Sequence, residues 1–264
     1  MHILLGSHLG SASVYRRALQ QIGHSCDLAE ALEDTPSAAQ HSDHHDVILL
    51  EIGQLDRQGL PLIRDTRRRG VQSPLMISAA RLTAAEEQAA LECGADQVLQ
   101  GPPHPPLLNA RLQAVLRRSL GHSGPELRCG NVVLHQARGT VVVDDRPVGV
   151  TASEFAVLEM LMLRPGVMLT KEHFMARAYG EEDGPDYRIL DVFICKLRRK
   201  LAAAGSAKIV RTIWGRGYAI EEPSASDVAA ARARLTGARL TGALPRSRRT
   251  PPAQPQLETI ATAA

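Results

Sequence analysis

The sequence predicts a doubly wound α/β domain followed by a smaller α+β domain. The chain has 264 residues, which is enough for two domains that each bury a hydrophobic core. Over the first 120 residues, short apolar runs alternate with segments of helical periodicity. From residue 127 onward the pattern changes to short strands separated by glycine-containing and Asp-Asp turns.

Five strand–helix units follow one another in the first domain, residues 1–119. Strands are expected at residues 3–5, 26–29, 47–50, 75–78 and 97–99, and helices at residues 12–22, 31–39, 60–69, 84–93 and 106–118. Thr83 and Glu86 have the spacing of a capping box at the start of the fourth helix. Apolar strands that alternate with helices predict a parallel sheet with helices on both faces, a doubly wound (βα)5 fold.

The second domain is predicted to span residues 127–222, after a polar linker at residues 120–126. Its first part, residues 127–150, contains short strands bounded by turn residues. A second capping box, Thr151 with Glu154, then begins a helix. The change from apolar βα units to short strands marks the boundary between the domains.

Two further helices and a hairpin complete this domain. Thr170 is placed to cap a short second helix, and residues 187–201 have the periodicity of a third. Residues 208–221 are rich in β-branched and aromatic side chains and carry Gly215 and Gly217 at a turn, which is typical of a β-hairpin. Strands, three helices and a terminal hairpin predict a winged helix-turn-helix.

The third helix of this domain has two chemically different faces. An apolar stripe that must face a core is formed by Leu190, Ile194, Leu197 and Leu201. The opposite side holds Arg188, Val192, Cys195, Lys196 and Arg199. That second face resists burial, because desolvating an unpaired cation is costly. A basic helix beside a hairpin whose turn carries Arg216 fits a major groove and a neighbouring minor groove, and predicts binding to DNA.

The overall composition excludes several classes of protein. Lys plus Arg number 31 and Asp plus Glu 28, a net charge of +3, so any nucleic-acid contact must come from a local basic patch. No apolar run is long enough to span a bilayer, and the first ten residues are too short an apolar segment for a secretory signal. The four cysteines lack metal-binding spacing, so we expect reduced thiols and a cytoplasmic protein.

The last segment, residues 223–264, is rich in Ala, Arg, Thr and Pro and contains the repeat ARLTGARLTGALP. It lacks a strong periodic apolar face, so we expect a largely disordered basic tail, with at most transient helix near residues 228–235. Its small apolar end, residues 262–264, resembles the degradation tags that bacterial unfoldase proteases read. Such a protease is therefore a candidate partner.

Three strings in the second domain resemble one known family. They are LTKEHFMARAYG (169–180), LDVFICKLRRKLAA (190–203) and IWGRGYAI (213–220). With the (βα)5 domain, they resemble the OmpR/PhoB class of two-component response regulators, and within it the CtrA-type cell-cycle regulators of alphaproteobacteria. The resemblance covers residues 1–222. It implies a transcriptional regulator that binds promoter DNA sequence-specifically, as a dimer on two half-sites.

The resemblance also implies which residues contact double-stranded DNA. The implied set is Arg188, Val192, Cys195, Lys196, Arg198, Arg199, Thr212 and Arg216. Val192, Cys195 and Lys196 would lie over base edges, and Arg216 would enter the minor groove. Arg188 and Thr212 would hold phosphates, whereas Arg198 and Arg199 would flank the groove and contact either phosphates or bases.

Other residues near this surface are expected to have different roles. Asp191 faces away from the base-reading positions, so we expect it to form an internal ion pair. Trp214 and Tyr218 are expected in the core of the wing, with stacking on bases as the alternative. The acidic loop 181–183 lies where this family meets RNA polymerase, and a solvated charge run is the alternative there.

The first domain lacks the residues that a working receiver uses to accept a phosphoryl group. In the family, an aspartate and an acidic pair hold Mg²⁺, while a hydroxyl and a lysine support the phosphoryl group. Here Gly-Ser-His-Leu at residues 6–9 replaces the acidic pair, and Glu51 stands at the degenerate phosphoacceptor position. The hydroxyl position falls on Ala79, with Ser78 on the other side of the strand, and the lysine position falls on Gly101. We therefore predict that this domain does not accept phosphate.

Two roles remain open for such a domain. The length and charge of Glu51 would allow it to mimic a phosphorylated aspartate, but that mimicry works through the missing hydroxyl and lysine. We favour a receiver fold that is retained for dimerisation. In the family the dimer face is formed by the fourth helix, fifth strand and fifth helix. Arg111 and Arg118 stand where that face carries cations, whereas Gln97 replaces an expected aspartate.

The sequence predicts no cofactor, no metal and no enzymatic activity. His41, His44 and His45, close to Asp43 and Asp46, are candidate metal ligands. Neighbouring loop histidines with no matching partner elsewhere are usually solvated, so we expect no metal there. The predicted function is phosphorylation-independent regulation of transcription. The alternative is an interaction module that sequesters or modulates a two-component kinase or phosphotransfer protein.

Overall fold

The computed structural model describes residues 1–7, 12–41, 44–53, 55, 59–101, 104–179 and 188–240. In the first domain, these residues form β1 (His2–Ser7), α1 (Ala12–Gln21), β2 (Ser25–Leu28), a 3₁₀ turn (Leu32–Asp34), α2 (Thr35–His41), β3 (Val47–Ile52), α3 (Leu60–Arg68), β4 (Leu75–Ala79), α4 (Ala84–Glu92), β5 (Gln97–Gln100) and α5 (Pro105–Ser119). The sheet has the strand order β2-β1-β3-β4-β5, and every neighbouring pair is parallel. The predicted doubly wound (βα)5 fold is confirmed.

The central strands of this sheet are buried on both faces. Successive side chains of a strand point to opposite faces, so a run of apolar residues serves two cores. Ile3 and Leu5 of β1 pack in the cluster that includes residues of α1 and α5. Leu4, between them, packs in the cluster that includes residues of α2, α3 and α4. Helices therefore cover both sides of the sheet. Because all of its strands are parallel, their carboxyl ends lie at the same edge.

The second domain begins with a four-stranded antiparallel sheet and continues with helices and a hairpin. Its elements are β6 (Glu126–Cys129), β7 (Val132–His135), β8 (Thr140–Val143), β9 (Arg146–Val148), α6 (Ala152–Leu163), β10 (Leu169–Thr170), α7 (Lys171–Tyr179), α8 (Arg188–Ala203), β11 (Val210–Ile213) and β12 (Gly217–Ile220). The last three strands form an antiparallel sheet in the order β10-β12-β11. The predicted winged helix-turn-helix is confirmed.

Both predicted capping boxes are present. At α4, the Glu86 N–H donates to Thr83 Oγ1 at 3.3 Å and the Thr83 N–H donates to Glu86 Oε2 at 2.7 Å. At α6, the Glu154 N–H donates to Thr151 Oγ1 at 3.3 Å and the Thr151 N–H donates to Glu154 Oε2 at 2.8 Å. The Glu154 carboxylate also accepts from Lys200 Nζ at 2.5 Å. The cap of α6 therefore also connects this helix to α8.

The structure differs from the predicted tail, because residues Ala225–Leu240 form a helix, α9, on the second domain. Its start is capped by Ser224, whose hydroxyl accepts from the Asp227 N–H at 3.1 Å. Ala231 is buried, and Leu235 lies against Gly205, where a Cβ atom would come within 2.7 Å of it. The prediction of disorder is therefore wrong for this part of the tail, and residues 241–264 lie outside the described residues. Within the described part of the chain, α9 included, no helix is long and apolar enough to cross a membrane.

A buried ion-pair cluster joins the two domains. The Asp46 carboxylate, just before β3, contacts the guanidinium groups of Arg164 at 2.9 Å and Arg177 at 2.8 Å. The Ser25 hydroxyl of β2 donates to the backbone carbonyl of Arg177 at 3.1 Å. One apolar cluster also includes residues of both domains. The receiver-like domain is thus packed directly against the helices that precede α8.

Candidate functional site

Helix α8 is positioned by its apolar stripe. Leu190, Ile194, Leu197 and Leu201 are each at most 3% exposed and belong to the core of the second domain. The prediction that this stripe faces a core is confirmed. Because one side of α8 is fixed in this way, the other side faces solvent. Residue 187, at which the predicted helix began, lies outside the described residues.

The opposite face of α8 presents most of the predicted DNA-contacting residues of this helix to solvent. The exposed ones on α8 are Arg188, Val192, Cys195, Lys196 and Arg199. Val192 is apolar but 46% exposed, whereas an apolar core residue would be buried. The structure thus brings three cations, one thiol and one β-branched side chain together on a single helical surface. Such a surface offers donors for phosphates and base edges, and an apolar contact for a thymine methyl group.

Arg198 has a different position from the rest of the set. Its Nη2 donates to the Val210 carbonyl at 2.9 Å and to Thr212 Oγ1 at 2.8 Å. Its guanidinium carbon lies 5.5 Å from the centre of the Tyr218 ring, within the range of a cation–π contact. These contacts tie α8 to the wing. Since the Thr212 hydroxyl accepts from Arg198, its own proton remains available to donate to a phosphate.

Asp191 forms the predicted internal ion pair. Lys171 Nζ donates to one of its carboxylate oxygens at 2.7 Å, and the Tyr218 hydroxyl donates to the other at 2.8 Å. Lys171 first, and then Tyr218, hold the pKa of Asp191 below its ordinary value despite partial desolvation. Burial, followed by the carboxylate, raises the pKa of the Tyr218 phenol to about 12. Asp191 therefore links α7, α8 and β12, and both of its oxygens are occupied.

The wing places Trp214 and Tyr218 in opposite environments. Tyr218 is 9% exposed, in agreement with the prediction, but Trp214 is 90% exposed at the turn, so the prediction of a core role for Trp214 is wrong. Arg216 is also exposed at this turn. A Cβ atom at Gly217 would lie 2.2 Å from the Leu169 carbonyl oxygen, so only glycine allows β12 to pair with β10 here. The turn extends beyond that close pairing and leaves the indole and a guanidinium in solvent.

At the carboxyl edge of the first sheet, where the sequence predicts the degenerate phosphoacceptor position, Glu51 lies between two serines. Its strand neighbours in register are Ser7 of β1 and Ser78 of β4. The Ser7 hydroxyl donates to Glu51 Oε2 at 2.9 Å. Paired residues of parallel strands point to the same face, so Ser78, rather than Ala79, is the hydroxyl on the side of Glu51. The predicted position of that hydroxyl is therefore corrected by one residue.

Tyr15 of α1 occupies the space beside this edge, which sequence reasoning missed. The residue is 1% exposed, and its hydroxyl is hydrogen-bonded to Ser78 Oγ and donates to the Gly101 carbonyl at 3.0 Å. Burial raises the pKa of Tyr15, so the phenol stays neutral. One buried side chain thus connects the hydroxyl position to the position where the family has its lysine. The only sequence signal was an aromatic residue on the apolar face of α1.

The remaining predicted sites are dispersed. His41 is exposed, with Nδ1 2.7 Å from the Ser37 carbonyl oxygen of its own helix, whereas His45 is buried elsewhere. Arg118 is exposed on α5, and Gln97 lies at the start of β5. The acidic loop 181–183 lies outside the described residues.

A receiver-like (βα)5 domain followed by a winged helix defines the class of DNA-binding response regulators. The family model described as "Transcriptional regulatory protein, C terminal" matches residues 145–220. Proteins named cell cycle response regulator CtrA, from Brucella anthropi and Brucella ovis, are 40% and 39% identical over 182 residues, covering 69% of this chain and 78% of each relative. The chain belongs to the CtrA-type family of response regulators.

Solved structures of response regulators are also similar. Response regulator DrrB, a Thermotoga maritima OmpR/PhoB homolog, covers 84% of this chain and 99% of its own, with 20% identity and a TM-score of 0.37. The DNA-binding domain of CpxR from E. coli covers 38% of this chain and 100% of its own, with 27% identity and a TM-score of 0.34. Because these scores are low, the family assignment rests on the sequence matches and the strand topology.

Proposed function

We propose that this response regulator binds promoter DNA sequence-specifically through α8 and the wing, and that it does so without phosphorylation. The observation that carries the proposal is the exposed face of α8, with Arg188, Lys196 and Arg199 beside the wing residues Trp214 and Arg216. A helix of this width fits the major groove, while the turn of the hairpin reaches the adjacent minor groove.

Within this surface we divide the residues by the chemistry each can perform. Lys196, Cys195 and Val192 lie along the middle of the exposed face, where base edges would be read. Arg188 at the start of α8 is placed for a phosphate, which would add affinity and salt dependence but no sequence information. Arg198 would act indirectly, by holding the wing at a fixed angle to α8 through its bonds to β11.

Phosphorylation independence is supported by the groups around Glu51. A receiver needs adjacent carboxylates to hold Mg²⁺, and the β1 neighbour of Glu51 is Ser7. The incoming phosphoryl group needs a cation and an available hydroxyl. Here the Ser78 hydroxyl is bonded to buried Tyr15, and Gly101 supplies only a backbone carbonyl to the same tyrosine. We accordingly propose that the domain neither accepts phosphate nor catalyses a reaction.

We further propose that the protein binds DNA as a dimer through α4, β5 and α5. Leu91 of α4 and Leu107 of α5 are 45% and 48% exposed, and Arg118 is exposed on α5. Exposed leucines on α4 and α5, together with an exposed cation on α5, fit an interface with a second copy of the chain. Two copies would match two half-sites on the same face of the duplex.

We propose two further partners and a location for the protein. RNA polymerase would contact the acidic loop 181–183, and an unfoldase protease would read residues 262–264. Both segments lie outside the described residues. A role in promoter binding also places the protein in the compartment of the bacterial chromosome, the cytoplasm.

The experiment that tests this function compares DNA binding before and after a phosphoryl donor is supplied. The full chain is incubated with acetyl phosphate and Mg²⁺, its mass is measured, and its affinity for promoter fragments is determined by fluorescence anisotropy. We expect no added mass and an unchanged affinity. A phosphoryl adduct at Glu51, or a tighter complex after treatment, would contradict phosphorylation independence.

The same assay separates DNA binding from the alternative role as a kinase-sequestering module. In the double variant Lys196→Ala, Arg216→Ala, sequence-specific binding and promoter output should both be lost. If output is unchanged while the chain still captures a histidine kinase or phosphotransfer protein, the interaction module is the better description.

A further inference from the structure

A second cluster of polar residues lies at the amino-terminal edge of the first sheet, opposite the Glu51 edge. His2 Nε2 is 2.8 Å from Asp27 Oδ2, and His45 Nε2 is 3.0 Å from the same oxygen. The two imidazole rings stack with their centres 5.0 Å apart. Within the described residues, these three side chains form a group whose ligand atoms all lie within 4.8 Å of one another. None of these three residues belongs to the exposed face of α8, to the wing or to the Glu51 edge of the sheet.

The strand register brings these residues together from three separate segments. His2 of β1 is paired with Ser25 of β2, so Asp27, two residues further along, lies on the same face. The Asp46 N–H donates to the His2 carbonyl at 2.8 Å, which places His45 beside the start of β1. In the sequence, His45 stands beside His44 and Asp46, but its side-chain partners in the fold come from β1 and β2.

Ser25 orients the ring of His2. Its hydroxyl lies 2.8 Å from His2 Nδ1, and the other neighbours of that hydroxyl are the carbonyl oxygens of Arg177 and Met1. When His2 Nδ1–H donates to Ser25 Oγ and the hydroxyl donates to a carbonyl, the lone pair of Nε2 is directed toward Asp27, as a metal ligand requires.

The Asp27 oxygen lies within hydrogen-bonding distance of a ring nitrogen of each histidine, so two imidazole nitrogens and one carboxylate oxygen converge on one point. Two imidazole nitrogens and one carboxylate oxygen are the donor set that binds borderline-soft divalent metals.

We propose that His2, Asp27 and His45 form a binding site for a divalent transition metal of the Zn²⁺ class. Two buried histidines would supply nitrogen ligands, and Asp27, whose side chain is 35% exposed, would supply an oxygen and leave the fourth position to solvent. Tetrahedral bonds of about 2.0–2.1 Å separate ligand atoms by about 3.3–3.4 Å. The present separations of 2.8 and 3.0 Å would therefore open by about 0.3–0.6 Å.

The site lies directly behind the contact between the domains. The His2 N–H donates to Asp46 Oδ2 at 3.0 Å, and Asp46 is the carboxylate that holds Arg164 and Arg177. Ser25, which orients His2, also bonds the backbone of Arg177. A metal that fixes His2 would therefore fix the strand end and the serine on which the second domain rests. Metal occupancy would stabilise the packed arrangement of the two domains.

Cobalt spectroscopy tests the site directly. The untagged full chain, freed of metal with a chelator and then dialysed, is titrated with Co²⁺ while visible ligand-field absorption is recorded, and Zn²⁺ is added as a competitor. We expect saturation at one Co²⁺ per chain and displacement by Zn²⁺. Asp27→Asn and His45→Gln should weaken binding by more than about 100-fold, and Ser25→Ala by about 10–100-fold.

The control is His41→Gln, which removes an exposed histidine of the same domain and should leave the titration unchanged. Far-ultraviolet circular dichroism confirms that each variant is folded. Zn²⁺ should also raise the melting temperature of the wild-type chain but not that of Asp27→Asn, since only a folded site binds the metal. The absence of saturable Co²⁺ binding, or its persistence in folded Asp27→Asn, would overturn the proposal.

Discussion

The carboxylate of Asp46 contacts the guanidinium of Arg177 at 2.8 Å across the boundary between the two domains. The Asp46 side chain is 3% exposed and that of Arg177 10%, so the pair is shielded from solvent. A second cation, Arg164, binds the same carboxylate oxygen. Because Arg177 belongs to α7, which precedes α8 in the chain, this charge cluster fixes the receiver-like domain relative to the DNA-binding surface.

Asp46→Asn is expected to lower the free energy of unfolding by about 3–5 kcal/mol, because it leaves the guanidinium groups of Arg177 and Arg164, whose side chains are 10% and 21% exposed, without their shared counter-charge. Chemical denaturation measures the change. The matched control is Asp65→Asn, which breaks an exposed pair with Arg69 on α3 and should cost less than about 1 kcal/mol. Equal losses in the two variants would show that the interdomain pair is not a strong contributor.

Stability should fall as the pH drops from about 6.5 toward 4, because His24 is buried in its neutral form. Burial, followed by the nearby amino terminus, lowers the pKa of His24 to about 4, and its Nδ1 has no hydrogen-bond partner. The unfolded chain binds a proton from about pH 6.5 downward, whereas the folded chain does not until near pH 4. The stabilisation is thus complete above about pH 6.5 and is lost below it, by up to about 3 kcal/mol.

Denaturation midpoints measured between about pH 7.5 and 4.5 test this expectation. His24→Asn removes the titrating group and keeps a polar side chain next to Asn109, the hydrogen-bond partner of His24 Nε2. The variant should show a flatter dependence on pH than the wild-type chain. Identical slopes would assign the acid sensitivity to other groups.

Sequence reasoning succeeded where the signal is local. The apolar stripe of α8 follows from a spacing within one helix, and all four of its residues are buried. The ion pair of Asp191 follows from its position on that helix, and Tyr218 is buried as predicted. In each case a short pattern determines which side of an element faces the core.

The misses involve contacts between distant segments. The Tyr15 side chain reaches Ser78 and Gly101 from α1, which packs against β1, and no short pattern encodes a contact between such distant segments. Ser78 was assigned to the wrong side of Glu51 because the strand register was unknown. For α9, small residues such as Ala231 are enough to pack because Gly205 leaves room for Leu235. A weak apolar face was therefore interpreted as disorder.

Lys196→Ala is expected to reduce discrimination between the target site and a mutated site by about 1–3 kcal/mol, because it removes a base contact. Arg188→Ala should instead weaken binding to all sequences and reduce the slope of log K against log salt by about 1. Anisotropy titrations at several salt concentrations, with a cognate and a scrambled duplex, separate the two effects. If neither variant alters binding to any promoter fragment, the assignment of the groove-facing side of α8 is wrong.

Tyr15→Phe is expected to destabilise the first domain by about 0.5–1.5 kcal/mol, because the hydrogen bonds of the Tyr15 hydroxyl are lost while the Ser78 hydroxyl still donates to the Gly101 carbonyl. The variant should still not accept phosphate from acetyl phosphate, since the missing lysine and acidic pair are not restored. Denaturation and intact-mass measurements check the two parts. Phosphorylation of the variant alone would show that Tyr15 is the single block to acceptance.

Trp214→Ala is expected to weaken DNA binding while leaving folding intact. The indole is 90% exposed, so its removal should change the free energy of unfolding by no more than about 0.5 kcal/mol. Burying a large aromatic side chain between the wing and the walls of the groove contributes about 1.5–3 kcal/mol, and a similar loss of affinity is expected here. Val14→Ala, which trims an exposed apolar side chain on α1, is the control that should not alter affinity.

The same residue offers a direct spectroscopic measurement, because Trp214 is the single tryptophan of the chain. In the unbound protein its emission should have the long wavelength of a solvated indole. Contact with a duplex should quench or blue-shift that emission in step with the anisotropy change, since the ring leaves water as the wing enters the groove. Unchanged emission at saturating DNA, together with wild-type affinity in Trp214→Ala, would place the turn of the wing away from the duplex.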